Sequence, residues 1–392
     1  MQQSLQQSIM SQHQDLVEIG HGRCGSVWAK RLSNDEYDNG NDNDNDNYTV
    51  IKRGDGTWHR SVTKEHEIHK HIARLVGVTA SESIMNLITS TGYRVNIPAP
   101  IDFITLNSAK WDVLLPLLPP KYKPCIALEN ERIPPMRRRV RRLLAHTCYG
   151  TGGRGRLVQD EKLTAALLDA ETNEQNCLVR PYLGRRRIQP KQGASATRPG
   201  RPQLVFVTLR NIPLHLDQIE ELGLPVEQYA MAMADTMAFL HWEAEIDAAD
   251  VEFVLAQPRQ DQGQSAASSL SIGSKPFTSE GPFGSHAMWL VDFDCCEKMA
   301  MPTDDTDEMN LLTIAARAFW RNDPYYPRPP ANHTPDSDLP DGKLWETFKK
   351  RYLATSGGIL ERKRKDKRVK TLPGKVMGMI ENTRERWSRS VL

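Results

Sequence analysis

The chain has 392 residues, long enough for one large domain or two ordinary ones around a substantial core. Its 51 basic and 49 acidic side chains leave a formal charge of +2, which excludes a global field drawing the protein to nucleic acid or anionic lipid. Cys24, Cys125, Cys148, Cys177, Cys295 and Cys296 show no Cys-x-x-Cys spacing, so they suit a reducing compartment and no structural zinc site.

Residues 1–16 are Gln-rich with no apolar core and read as a disordered tail, not a secretory signal. No stretch approaches a membrane span, so the expectation is a cytoplasmic or nuclear protein with no membrane partner. DLVEIG and SVWAKRL then read as two strands joined by a Gly-rich turn. The Asn/Asp run 33–47 cannot bury enough apolar surface to order itself and reads as a disordered loop. YTVIKR is a third strand, and SVTKEHEIHKHIARLVG a helix with Ile68, Ile72 and Leu75 on one face. IDFITL and CIALENERI are further strand candidates, which closes an N-terminal lobe at 17–131.

A C-terminal, mainly helical lobe is expected over 132–360, interrupted by polar insertions at 150–176, 190–203 and 256–286. MRRRVRRLLAHT opens it as a basic helix, and CLVRPYLG and QLVFVTL are strand-like. Pro225 stands where a helix begins, and Tyr229, Met233, Met237 and Leu240 share the buried face of VEQYAMAMADTMAFLHW. AMWLVDFDCC is a strand ending in acids, and 361–392 reads as a basic tail.

Four features carry chemistry. Gly20, Gly22 and Gly25 make a G-x-G-x-x-G pattern between two strands; that hairpin setting fits backbone amides folded over phosphates, whereas a dinucleotide fingerprint needs a helix straight after the glycines. Lys52 ends an apolar strand, and Glu65 lies beside the Ile68/Ile72 face of the next helix, so its carboxylate points inward while Glu67 points elsewhere. Asp247 precedes Glu252 by five residues, and the apolar run FVL follows. Asp292, Phe293 and Asp294 close the last strand. Taken singly, each of these is as readily a hairpin turn, a solvated lysine or a surface acid.

The order of these parts resembles that of protein kinases and aminoglycoside-phosphotransferase-like enzymes. The resemblance implies an α+β, two-lobed protein-kinase-like fold with ATP and Mg2+ in the cleft. It implies glycines 20, 22 and 25 over the phosphates, Lys52 holding them with Glu65 as partner, Glu252 and Asp292 on Mg2+, and Asp247 facing the acceptor hydroxyl. Glu245 and Ile246 stand where such proteins carry His and Arg, Glu252 where they carry Asn, and Asp294 where they carry Gly. Those departures, and the lack of an A-P-E segment, point to a small-molecule acceptor. The alternative is an inactive pseudokinase scaffold, or a nuclear regulatory protein, that docks a partner.

Residues 204–255, with CLVRPYLGRRR before and NDPYYPRP after, also resemble a fungal domain family of unknown function whose members are often labelled zinc-finger-protein-like. That likeness spans roughly 120–330 and implies no reaction. The basic runs 137–142 and 361–370 are candidate nuclear-import or phosphate-backbone contacts, and more simply solvated helix faces.

Overall fold

The computed structural model describes residues 16–31, 49–56, 61–79, 92–149, 176–187, 208–259, 270–330 and 340–388, together with Ala165 and Leu168. The expected tail 1–16 except Leu16, which begins a strand, the Asn/Asp run 33–47, the insertion 190–203 and most of 150–176 lie outside the described residues.

Alternation of inward and outward side chains builds a five-stranded antiparallel sheet. Its strands are β1 (Leu16–His21), β2 (Ser26–Lys30), β3 (Thr49–Arg53), β5 (Pro100–Ile104) and β6 (Ala127–Glu131), in the order β1-β2-β3-β6-β5. Trp28, Ile51, Ile104 and Ala127 bury one face of it beneath Trp111 and Leu118. Trp111 comes from a short helix, α2 (Lys110–Leu114), that periodicity alone does not reveal. Arg53 is buried in the same layer, its guanidinium 5.0 Å from the rings of both Trp111 and Tyr122. Because strand side chains alternate, burying Arg53 on this face turns Lys52 to the other.

Helix α1 (Val62–Thr79) crosses from this sheet to the rest of the molecule. Its buried residues Ile68, Ile72 and Val76 belong to the large core and not to the core of the small sheet.

The second sheet has seven strands and includes β4 (Val95–Asn96), β7 (Val179–Tyr182), β8 (Ile212–His215), β9 (Glu252–Ala256), β10 (Ser271–Ile272), β11 (Phe277–Thr278) and β12 (Ser285–Val291). The order is β10-β4-β12-β9-β7-β8, with β11 on β12. Helices α3 (Arg138–Tyr149), α4 (Leu216–Glu221), α5 (Val226–Ala238), α6 (Asp305–Arg321), α7 (Pro340–Arg362) and α8 (Lys367–Ser388) complete the body. The described residues thus form a mixed α/β fold with eight α-helices and two sheets.

Several expectations change. The body after residue 131 is less purely helical than its sequence suggests, and the boundary at 131 is not clean. Val95 and Asn96, both buried, pair with β12 and β10 and so belong to the second sheet. The insertion 256–286 is not all loop: Ile272, Phe277 and Phe283 are buried, and the first two belong to short strands. QLVFVTL lies mostly outside the described residues, and the strand forms just beyond it, at the sheet edge where Pro213 is tolerated. The basic tail 361–392 is helical over α8, because Val369, Leu372, Val376, Met377 and Ile380 recur at helical spacing and are buried.

Helix α5 begins just after Pro225, and its burial extends beyond the single face of Tyr229, Met233 and Met237 to Ala230, Ala234 and Asp235. Asp235 is fully buried, and Arg351 of α7 satisfies both its oxygens at 2.7 and 2.8 Å. Such a charge is tolerated inside only when it is paired.

Candidate functional site

A cavity of about 230 Å³ opens between the two sheets, with Lys52, Glu65, Glu252 and Asp292 among its lining residues. Lys52 Nζ donates to Glu65 Oε1 at 2.7 Å and to Asp292 Oδ1 at 3.1 Å, which joins β3, α1 and the end of β12 at one ammonium group. Glu65 is 4% exposed and Glu67 is exposed, as the helical face requires. Burial pushes the Glu65 carboxyl up, against the pull of Lys52. Burial alone would lower the Lys52 pKa, but Glu65 and then Asp292 outweigh it and hold the ammonium charged.

Glu252 is the first residue of β9 and pairs in register with Val291, one residue before Asp292. Its Oε2 accepts from Arg180 of β7 at 2.6 Å, and burial raises its carboxyl to about 7 in spite of that cation. Sequence reasoning missed Arg180. The signal was a charged residue inside the apolar strand CLVRPYLG, which needs a partner at that depth.

Asp247 behaves differently. It is 5% exposed and does not line the cavity; its Oδ1 accepts from the backbone N–H of Ala249 at 3.1 Å and of Glu297 at 2.9 Å. Burial raises its pKa, while those two amides oppose the shift. The structure therefore brings Lys52, Glu65, Glu252 and Asp292 to one cavity and sets Asp247 outside its lining, as a brace for the loop after Asp294.

The loop that contains Asp247, and Asp292 itself, are strained. Glu245, Ala248 and Asp250 have φ of 55°, 59° and 64°, and Asp292 has φ of 66°. Non-glycine residues rarely adopt this left-handed region, and such outliers concentrate at functional sites. Asn322, also unforeseen, holds the loop from the end of α6: it accepts from Asp250 N at 2.5 Å and donates to Ala248 O at 2.8 Å.

The glycine turn lies over the same region. Gly20 lines the cavity, whereas Gly22 and Gly25 do not. Gly25 has φ of 142°, and a Cβ there would lie 2.0 Å from the Arg53 carbonyl oxygen, so the position admits only glycine. Asp55 anchors the turn by accepting from Ser26 N at 2.9 Å and Ser26 Oγ at 3.0 Å. Cys24 Sγ then donates to Asp294 Oδ2 at 2.6 Å, and burial together with that bond pushes the thiol far above its usual range. Asp294 is thus more than a substitute for glycine: it ties the upper hairpin to the lower turn.

As for metals, the described residues contain one cluster with ligand atoms close enough together, Asp250, Asp294 and Cys295. Arg321 already donates to Cys295 Sγ at 3.1 Å there. Among the described residues no Cys/His set has a zinc-finger arrangement, and the six cysteines are free thiols. Glu252 and Asp292 offer carboxylate oxygens that suit Mg2+. No helix among the described residues is long and apolar enough to cross a membrane.

The second basic run is largely paired within the molecule, whereas in the first Arg137 donates to the neutral Gln257. Arg141 is buried, while Arg362, Lys363, Arg368 and Lys370 pair with Glu243, Glu245, Glu308 and Glu361 respectively. No curated protein and no solved structure matches the chain. Residues 288–364, which run from the strand before Asp292 to the end of α7, are similar to a family of unknown function, DUF3669, described as "Zinc finger protein".

Proposed function

We propose that this protein is a kinase-like, two-lobed protein that binds ATP with Mg2+ between its sheets. In the catalytic form of this reading it passes the γ-phosphoryl group to a hydroxyl of a small molecule. The observation that carries it is the bridge from Lys52 to Glu65 and Asp292, which draws three distant segments to one cation on the cavity wall. In that role Lys52 contacts phosphate oxygens, Glu65 fixes the lysine, Asp292 and Glu252 hold the metal, and the β1–β2 glycine turn covers the phosphates. Catalysis here is mostly positioning and charge neutralisation.

A second reading, a pseudokinase scaffold acting through a protein partner, draws on Asp247. An acceptor-side base must reach the substrate hydroxyl, and this carboxylate lies outside the cavity lining with its Oδ1 engaged by two backbone amides. Thermal shift with ATP and Mg2+ tests the shared nucleotide site by mass action. A Mg2+-dependent shift lost in Lys52→Met and Asp292→Asn supports it, and no shift for the wild type at millimolar ATP ends it. Hydrolysis or transfer of the γ-phosphate by the wild type, lost in Asp292→Asn, then separates enzyme from scaffold.

A further inference from the structure

The strand register places a second unpartnered oxygen on the cavity wall, besides Glu65 Oε2 beside the lysine: the side-chain oxygen of Asn130. Lys52 of β3 stands opposite Leu128 of β6, and Val50 opposite Asn130. Directly opposed residues in an antiparallel pair point to the same face, and every second residue repeats it. Lys52, Val50 and Asn130 therefore share the cavity face, and all three line the cavity. The Asn130 side-chain oxygen is buried and has no hydrogen-bond partner among the described residues.

An amide oxygen left without a donor in an apolar setting is costly, which makes it informative about what fills the cavity. The lining is mixed, with aliphatic side chains from both sheets among polar ones such as Asn176 and Asn211. Ile19, Val27 and Val50 come from the first sheet; Leu178, Val254 and Val291 come from β7, β9 and β12 or the residue just before. A space lined on two sides by branched aliphatics takes a flat ring, and the exposed edge of that ring meets the amide. The Lys52 bridge to Glu65 and Asp292 lies two residues along β3, so a charged group attached to the ring extends toward it.

The geometry points to Asn130 as the residue that reads the base of the bound nucleotide, by accepting a hydrogen bond from an exocyclic amino group. Adenine fits: it presents an amino N–H beside a ring nitrogen acceptor, the pair that an asparagine amide matches side by side. A base with a carbonyl at that position offers no N–H there and leaves the Asn130 oxygen unpaired. This inference rests on the nucleotide reading of the cleft and adds to it a side chain that sets which nucleotide is taken.

The test compares ATP with purine riboside triphosphate, which lacks only the amino group, by isothermal titration in the presence of Mg2+. The wild type should bind ATP about tenfold more tightly, the weight of one buried hydrogen bond. In Asn130→Leu, and in Asn130→Ala should the leucine variant fold poorly, the ratio should collapse to about one, with binding of the purine analogue kept. Equal affinities in the wild type, or a preference that survives in a folded Asn130 variant, overturn the role of Asn130 and leave the nucleotide site standing. Failure of the wild type to bind either triphosphate at millimolar concentration overturns both.

Discussion

Cys24 and Asp294, 270 residues apart in sequence, meet at 2.6 Å, thiol to carboxylate, both buried. Through this contact the turn between β1 and β2 is fastened to the turn after β12. A double-mutant cycle with Cys24→Ala and Asp294→Ala should give a coupling of about 1 kcal/mol, since each single change removes the same hydrogen bond. Urea unfolding of the four proteins measures it. Strictly additive losses would mean that the two turns are held in place by other contacts.

Lys52 and Glu65 form a buried ion pair, and removing one partner strands the other. Lys52→Met should cost about 3 kcal/mol of stability at neutral pH, because the buried Glu65 carboxyl loses its cation and must take up a proton to stay inside. The double variant Lys52→Met/Glu65→Gln should recover a large part of that loss. Chemical denaturation with circular dichroism reports both. A double variant as unstable as the single would place the cost in packing and not in charge.

Glu252 predicts a pH signature. Its carboxyl is raised to about 7 from a usual value of 4.5, so between those pH values the folded state holds a proton that the unfolded state has lost. Stability from this group is therefore present below pH 4.5 and declines as the pH rises toward 7. Glu252→Gln cannot titrate, so its stability relative to the wild type should improve from pH 5 to pH 8, by on the order of 1–2 kcal/mol. Paired denaturation curves across that range check it; a difference that does not change with pH contradicts it.

Asn322 ties down the acidic loop through Asp250 N and Ala248 O, where three backbone residues sit in the left-handed region. Asn322→Ala leaves two buried or half-buried backbone groups without their partner and should cost about 2–3 kcal/mol. Amide hydrogen exchange should speed up at 245–250 before it does in α5. Exchange that is unchanged in this loop would show that its other contacts, such as Met299 N to the Glu245 carbonyl, fix its shape without Asn322.

Much of this arrangement was legible in the chain because it depends on local periodicity. An apolar strand ending in Lys52 and a helix with Ile68 and Ile72 on one face are enough to aim Lys52 and Glu65 at each other. Asp292 could be placed because an apolar strand runs straight into it. Other pieces depend on distant partners that spacing does not encode. Asp247 sits five residues before Glu252 as the motif asks, yet its orientation is fixed by the backbone of Glu297, fifty residues on. Arg180 gained meaning only when β7 was laid beside β9. The basic composition of 361–392 drew attention to its charges, while its sparser apolar positions, such as Leu372 and Val376, decide where the helix lies.

That last helix has a consequence for how the molecule comes into being. Val369, Leu372, Val376 and Ile380 pack in the same core as Ile68 and Ile72, contributed more than 290 residues earlier. During vectorial synthesis the small sheet has all its strands once Glu131 has emerged. The large core, in contrast, stays open on one side until α8 has left the ribosome. Throughout elongation, therefore, the cell must shield an incomplete apolar surface that the finished protein never displays.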